Sequence, residues 1–167
     1  DVVKLLVDIV SKNGKLLLSV PLRADGTFDE KEEKILNEFG NWMNINKEAI
    51  YQTRPWKIFG EGPIADKDVQ LNAQGFNEWA YSKADAKEIR FTQTDKNLYA
   101  TVLGWPEDGK ILIRSLAEGN GLYPTKIGRV ELLGYGKVSF TRTDKGLVVD
   151  IPAKSLKNIA PVLKIRK

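Results

Sequence analysis

The chain has 167 residues with 42% apolar and 29% charged side chains, an ordinary globular balance for one domain or two small ones. It holds no cysteine and no histidine, which excludes disulfides, thiolate and imidazole metal sites, cysteine nucleophiles and Ser-His-Asp triads. Lys+Arg exceed Asp+Glu by 26 to 22, but residues 1–60 balance and the excess downstream is scattered singly. A nucleic-acid surface needs a patch, stripe or known motif, and none is present. No stretch is long and apolar enough for a membrane span, and no signal peptide opens the chain.

Val2, Leu5, Leu6, Ile9 and Val10 fall on one helical stripe, and Asn13-Gly14 supplies a stop that accepts the left-handed conformation. The text starts inside this amphipathic pattern with Asp1, so the expectation is a chain cut from something longer. Lys15 to Val20, closed by Pro21, reads as a strand buried on both faces. Arg23 to Gly26 is a turn signal. Thr27-Phe28-Asp29-Glu30 has capping-box spacing, and Ile35, Leu36, Phe39, Trp42 and Met43 repeat at helical spacing through about Asn44. One strand cannot make a sheet, so its partners must come from elsewhere, most simply from sequence upstream.

Residues 44–85 lack a clear period and read as a long surface connection with a few anchoring side chains. From Lys87 the period becomes two: Ile89 and Phe91 alternate with Arg90 and Thr92, and Leu98, Ala100 and Val102 with Tyr99, Thr101 and Leu103. Further strands are expected at 110–117, 127–135, 137–142, 147–151 and 160–165. Hairpin-type connections are expected at Thr94–Asn97, Glu107–Gly109 and Thr143–Gly146. About seven short strands in about 80 residues indicate an antiparallel sandwich or barrel.

These residues also resemble a known family. Val10-Ser11-Lys12-Asn13-Gly14-Lys15-Leu16-Leu17-Leu18-Ser19-Val20-Pro21, followed by Asp25-Gly26, is similar to the last strand region of the glycoside hydrolase α-L-fucosidases. Trp42-Met43, Ile45-Asn46, Glu48 to Tyr51 and Thr53 to Trp56 resemble the helix and tail that follow it. Ile89 to Thr92, Leu98 to Ala100 and Leu103, Trp105 and Pro106 resemble the C-terminal β-sandwich of the same enzymes. Many members carry Asn where Ser19 stands here, so no role for that amide carries over.

The resemblance implies an α+β fragment: the last strand and helix of a (β/α)8 barrel, then an antiparallel β-sandwich. The divisions expected are 1–60 for the barrel end, 61–86 for a connecting segment and 87–167 for the sandwich. It further implies retaining hydrolysis of terminal α-L-fucose on glycoconjugates, with the catalytic carboxylates and substrate-binding histidines upstream. No catalytic residue, metal or cofactor is therefore expected in this chain, and an extracytoplasmic setting is implied.

Barrel loops that follow strands build the active-site face, so Arg23 and Asp25 could rim the pocket, although both also suit an ordinary turn. Tyr51 and Trp56 would lie away from the chemistry, as anchors between barrel and sandwich. Asp29 to Glu33 is better explained by the helix dipole than by acid/base work. Trp79, Trp105 and Tyr123 could stack on sugars but suit core or edge packing, and Gly119-Asn120-Gly121 and Gly134-Tyr135-Gly136 suit turns. The rival reading is a non-catalytic carbohydrate-binding or structural sandwich module.

Overall fold

Residue types with period two downstream and period 3.6 upstream sort the chain into a sandwich carrying two helices. The computed structural model describes residues 2–67, 84–152 and 159–167. The helices are α1 (Val2–Ser11) and α2 (Glu30–Asn46), with a 3-10 turn at Lys47–Ala49. The strands are β1 (Arg54–Glu61), β2 (Ile89–Gln93), β3 (Leu98–Val102), β4 (Lys110–Ile113), β5 (Arg129–Leu132), β6 (Gly136–Lys137), β7 (Phe140–Thr143), β8 (Gly146–Asp150) and β9 (Val162–Arg166). They form two antiparallel sheets, in the orders β1-β2-β3-β9-β5-β6 and β4-β8-β7.

Alternation decides what each face meets. Ile89, Phe91, Leu98, Ala100, Val102, Leu163 and Ile165 point inward and form the main core with Ile111, Ile113, Leu147 and Val149 of the smaller sheet. The opposite face of the six-stranded sheet presents Tyr99 and Val162, which pack with Val3 and Val7 of α1 and Trp42 of α2 in a second cluster. Strands β2 and β3 are therefore buried on both sides although their sequences alternate. Burying side chains at about 25 cal/mol per Å2 makes these two apolar layers the main stabilising contribution.

Several expectations are corrected. The α1 face that is fully buried is Val3, Val7, Asp8 and Ser11, one step round from the stripe drawn from Val2, Leu5, Leu6, Ile9 and Val10, which stays half-buried. The difference arises because a charged Asp8 finds a partner inside the seam. Asn13 does close the helix in the left-handed region at φ 66°, and Gly14 donates to the Ile9 carbonyl at 2.8 Å.

Residues 15–20 form no strand, and Leu17 is 95% exposed. A strand needs a neighbour for its backbone groups, and none of the described strands pairs with this segment.

Residues 54–61, expected as connection, form the edge strand β1, paired to β2 through a register shift between Pro55 and Gly60. Proline and an irregular register suit an edge and blur the alternation that signals a strand. The segment Glu107–Gly109 is a crossing between sheets instead of a hairpin, since β3 and β4 belong to different sheets. Thr94–Asn97 and Thr143–Gly146 are hairpin turns as expected. Val69, Leu71, Phe76, Trp79 and Tyr81 lie outside the described residues.

Candidate functional site

The turn expected to carry rim residues is built locally. The Asp25 Oδ1 accepts from the Thr27 amide at 3.0 Å and from its hydroxyl at 2.7 Å. Arg23 donates its amide to the Thr27 carbonyl at 2.8 Å, and Gly26 takes the positive φ of 82° that the turn requires. The Thr27 hydroxyl and amide hold the Asp25 carboxyl below the usual carboxylate range. Arg23 and Asp25 are both exposed. The helix cap is Asp29, whose side chain accepts from the amides of Lys31 and Glu32, so Thr27 is committed to the turn and not to the expected capping box. Those amides, that of Glu32 foremost, lower the Asp29 pKa as well.

Apolar side chains around this turn are unusually open for their size. Leu17, Leu18, Leu22, Phe28, Ile35 and Ile45 are all exposed. Together they make residues 15–45 the most apolar exposed stretch among the described residues, the kind of surface that marks an interface.

The helices reach the sandwich through polar bonds as well as the apolar cluster. Trp42 donates its indole N–H to the Ala160 carbonyl at 2.8 Å, and Thr92 donates its hydroxyl to the Ala49 carbonyl at 2.7 Å. The Tyr99 hydroxyl donates to Glu48 at 2.9 Å, and Lys164 pairs with the same carboxylate. Burial first, then the Glu48 contact, pushes the Tyr99 phenol up to about 12. Lys4 donates to the Ala84 carbonyl at 3.0 Å, and burial lowers its pKa despite the attraction of Asp85.

Tyr51 and Trp56 are the residues expected as anchors between barrel and sandwich. Tyr51 is exposed, and Trp56 faces inward between the sheets, edge-on to Phe91 at 5.0 Å between ring centroids. Trp56 thus belongs to the sandwich core, and Trp42 joins α2 to the six-stranded sheet.

Several carboxylates elsewhere are committed to structure. Glu61 accepts from the amides of Arg114 and Ser115 at 2.7 and 2.8 Å. Asp66 pairs with Arg114 at 2.7 Å, and that bond, more than any other contact, lowers its pKa. A cleft of about 400 Å3 lies beside this pair, lined by Gly62, Pro63, Asp66, Ala86, Lys87, Leu112 and Arg114. Asp8 and Glu88 both bind Arg90 and are 3% and 1% exposed. A retaining glycosidase needs two carboxyl groups about 5–5.5 Å apart on either side of a sugar, and acids sealed in this way meet no sugar. No group of three or more His, Cys, Asp or Glu among the described residues could hold a metal.

Trp105 and Tyr123 pack against the main core. The loop bearing Tyr123 is organised by Arg142, which donates to the carbonyls of Leu116, Thr125, Ala117 and Tyr123. Gly119, Gly121, Gly134 and Gly136 all take positive φ, as turns require. The sequence reading missed Asp8, Arg90 and Arg142. An acid inside the apolar run Val2–Val10 was the one available signal; the alternation around Arg90 mimics a solvent-facing strand.

Two family models match in chain order: α-L-fucosidase over residues 1–48, and the α-L-fucosidase C-terminal domain over residues 83–166. The plasma α-L-fucosidase of Rattus norvegicus is 30% identical over 93% of this chain, and the human tissue α-L-fucosidase is 30% identical over 91%. The chain spans 29% and 27% of those two proteins. A Thermotoga maritima α-fucosidase solved with a mechanism-based inhibitor superposes with TM-score 0.71 at 28% identity, covering 99% of this chain and 33% of that one. Isoenzyme 1 of the Paenibacillus thiaminolyticus α-L-fucosidase gives 0.64 at 25%, covering 99% and 33%.

Proposed function

Since the chain belongs to the α-L-fucosidase family and is its C-terminal portion, the end of the catalytic domain plus the C-terminal domain, we propose that it serves hydrolysis of terminal α-L-fucose from glycoconjugates. In this reading the reaction is retaining: one carboxylate attacks the anomeric carbon while an acid protonates the departing oxygen, and water then releases fucose from the enzyme. Both carboxyl groups would be supplied by parts of the enzyme outside residues 1–167. The observation that carries the reading is the exposure of Leu17, Leu18, Leu22, Phe28 and Ile35, large apolar side chains of one stretch of sequence, in the region that matches the catalytic-domain model. Neighbouring barrel strands and helices would cover that face and pair the backbone of residues 15–20.

Arg23 and Asp25 would then stand at the rim of the sugar pocket, on a turn already set by Thr27. The proposed division is barrel end at 1–60, connection at 61–86 and sandwich at 87–167, with β1 of the first part hydrogen-bonded into the sandwich sheet. The test is to compare the 167-residue chain with the full-length polypeptide on an aryl α-L-fucoside, following the anomer formed by proton NMR. Phenol release by the longer protein with the α-anomer first, and none above a buffer blank by the chain alone, is expected. Turnover by the chain alone, or a full-length protein inert toward fucosides, refutes the reading.

A further inference from the structure

Two buried carboxylates, Asp8 on α1 and Glu88 just ahead of β2, converge on one guanidinium that no sugar can reach. Arg90 is 1% exposed. Its Nε donates to Asp8 Oδ1 at 2.5 Å, and its Nη1 donates to Glu88 Oε2 and to the Ile89 carbonyl, both at 3.0 Å. Asp8 also takes Lys12 at 2.7 Å on its other oxygen, while Glu88 accepts from the Ile64 amide and, at 3.4 Å, from that of Ala65. The Phe59 ring lies beneath both cations, 4.7 Å from the Lys12 nitrogen and 5.5 Å from the Arg90 guanidinium carbon. Glycines clear the space: a Cβ on Gly60 would stand 2.8 Å from Arg90 Cδ, and one on Gly62 2.8 Å from Glu88 Cδ.

The arrangement has a single registry. Apolar packing holds two surfaces together but tolerates sliding; a buried, forked guanidinium with partners on α1, β2 and the preceding turn is satisfied in only one alignment. Asp8 lies in the last turns of α1, and Gly14 N–H closes onto Ile9. Residues 15–22 follow that cap directly, so the end of α1 sets where they begin.

We propose that Arg90 is a positioning residue: from the sandwich it fixes the end of α1 and thereby the path of residues 15–27, which present Arg23 and Asp25. The proposal rests on the reading of this region as the end of the catalytic barrel, because only there does the path of 15–27 bear on a sugar. It gives the sandwich a part in the reaction without a contact to substrate. A misplacement of about 1 Å at a site can cost about 10²-fold in rate, so a lock of this kind has a measurable consequence.

The test uses Arg90→Lys, which keeps the charge but loses the fork, and Asp8→Asn, which keeps the shape. Hydrogen exchange of the 167-residue chain should show residues 2–14 exchanging about tenfold faster in either variant while β3 and β9 keep their protection. In the full-length polypeptide, kcat/KM on an aryl α-L-fucoside should fall about 10- to 100-fold, measured at a temperature where wild type and variants are fully folded. Unchanged exchange at 2–14, or an equal rise in every strand, overturns the lock. Faster exchange at 2–14 beside wild-type kcat/KM overturns the positioning role. A wild-type full-length protein inert toward fucosides refutes the functional reading and with it the rate claim, while the exchange comparison still decides the lock.

Discussion

Replacing Arg142 by Met should release the loop between Leu116 and Ile127 while leaving both sheets folded. The guanidinium donates to the carbonyls of Leu116 at 2.7 Å, Tyr123 at 2.6 Å, Thr125 at 2.9 Å and Ala117 at 3.3 Å. It also lies 5.8 Å from the centre of the Tyr123 ring. Hydrogen bonds from a charged donor contribute about 1.5–3 kcal/mol each when a buried partner is left empty. Three of the four are no longer than 2.9 Å, but Tyr123 and Thr125 are half-buried and their carbonyls regain water, so the loss is about 2–4 kcal/mol. For a chain of this size that corresponds to about 4–16 °C in melting temperature. Arg142→Lys places one ammonium near carbonyls spread around a planar fork and should recover no more than about half. Urea unfolding followed by tryptophan fluorescence gives the magnitude, and tryptic cleavage at the exposed Lys126 reports the loop itself. A Met variant within about 0.5 kcal/mol of wild type, with Lys126 cut no faster, would refute the reasoning and show that the loop holds its shape unaided.

Gly60→Ala should cost about 1–3 kcal/mol because the new Cβ stands 2.5 Å from the Ile89 carbonyl oxygen; a denaturation midpoint equal to wild type would count against the β1 geometry. Tyr99 should ionise late, near 12, in an ultraviolet titration. Its folded pKa lies above the ordinary tyrosine value of 10.0, so the stability it contributes is whole below pH 10 and is lost as pH rises through about 12, and Tyr99→Phe should flatten that decline. Asp29→Ala should shorten α2 in circular dichroism; the depressed carboxyl pKa means that the cap is present at neutral pH and lost as pH falls through that lowered value. Leu17→Ser should change stability by less than about 0.5 kcal/mol and reduce binding of an apolar dye, since the side chain is 95% exposed.

The sandwich was legible because alternation survives in its strands: Ile89 and Phe91, then Leu98, Ala100 and Val102, mark the inward face without ambiguity. The same pattern misled about the other face. Arg90, Thr92 and Tyr99 look like solvent-facing positions, and only the tertiary placement of α1 and the end of α2 covers them. Strand β1 was hidden by Pro55 and by an irregular register that breaks the period. At residues 15–20 the local signal for a strand was strong, yet a strand is a property of two segments, and its partner does not lie among the described residues. The turn at Asp25 was read correctly as a turn; whether it also meets a sugar depends on groups that no local pattern within residues 1–167 encodes.

The sheet order has a consequence for how such a chain is made. Strand β9, at Val162–Arg166, comes last among the described strands in sequence but lies between β3 and β5. Until it arrives, a ribosome-bound chain holds β1-β2-β3 on one side and β5-β6 on the other, each with an open edge facing the gap. Antiparallel pairing across such a sequence separation is slow, because loop closure precedes any reward in contacts, and open edges recruit other chains. Synthesis that stops before residue 162 therefore leaves two half-sheets that cannot join, so loss of residues 162–167 should be far more damaging than their number suggests.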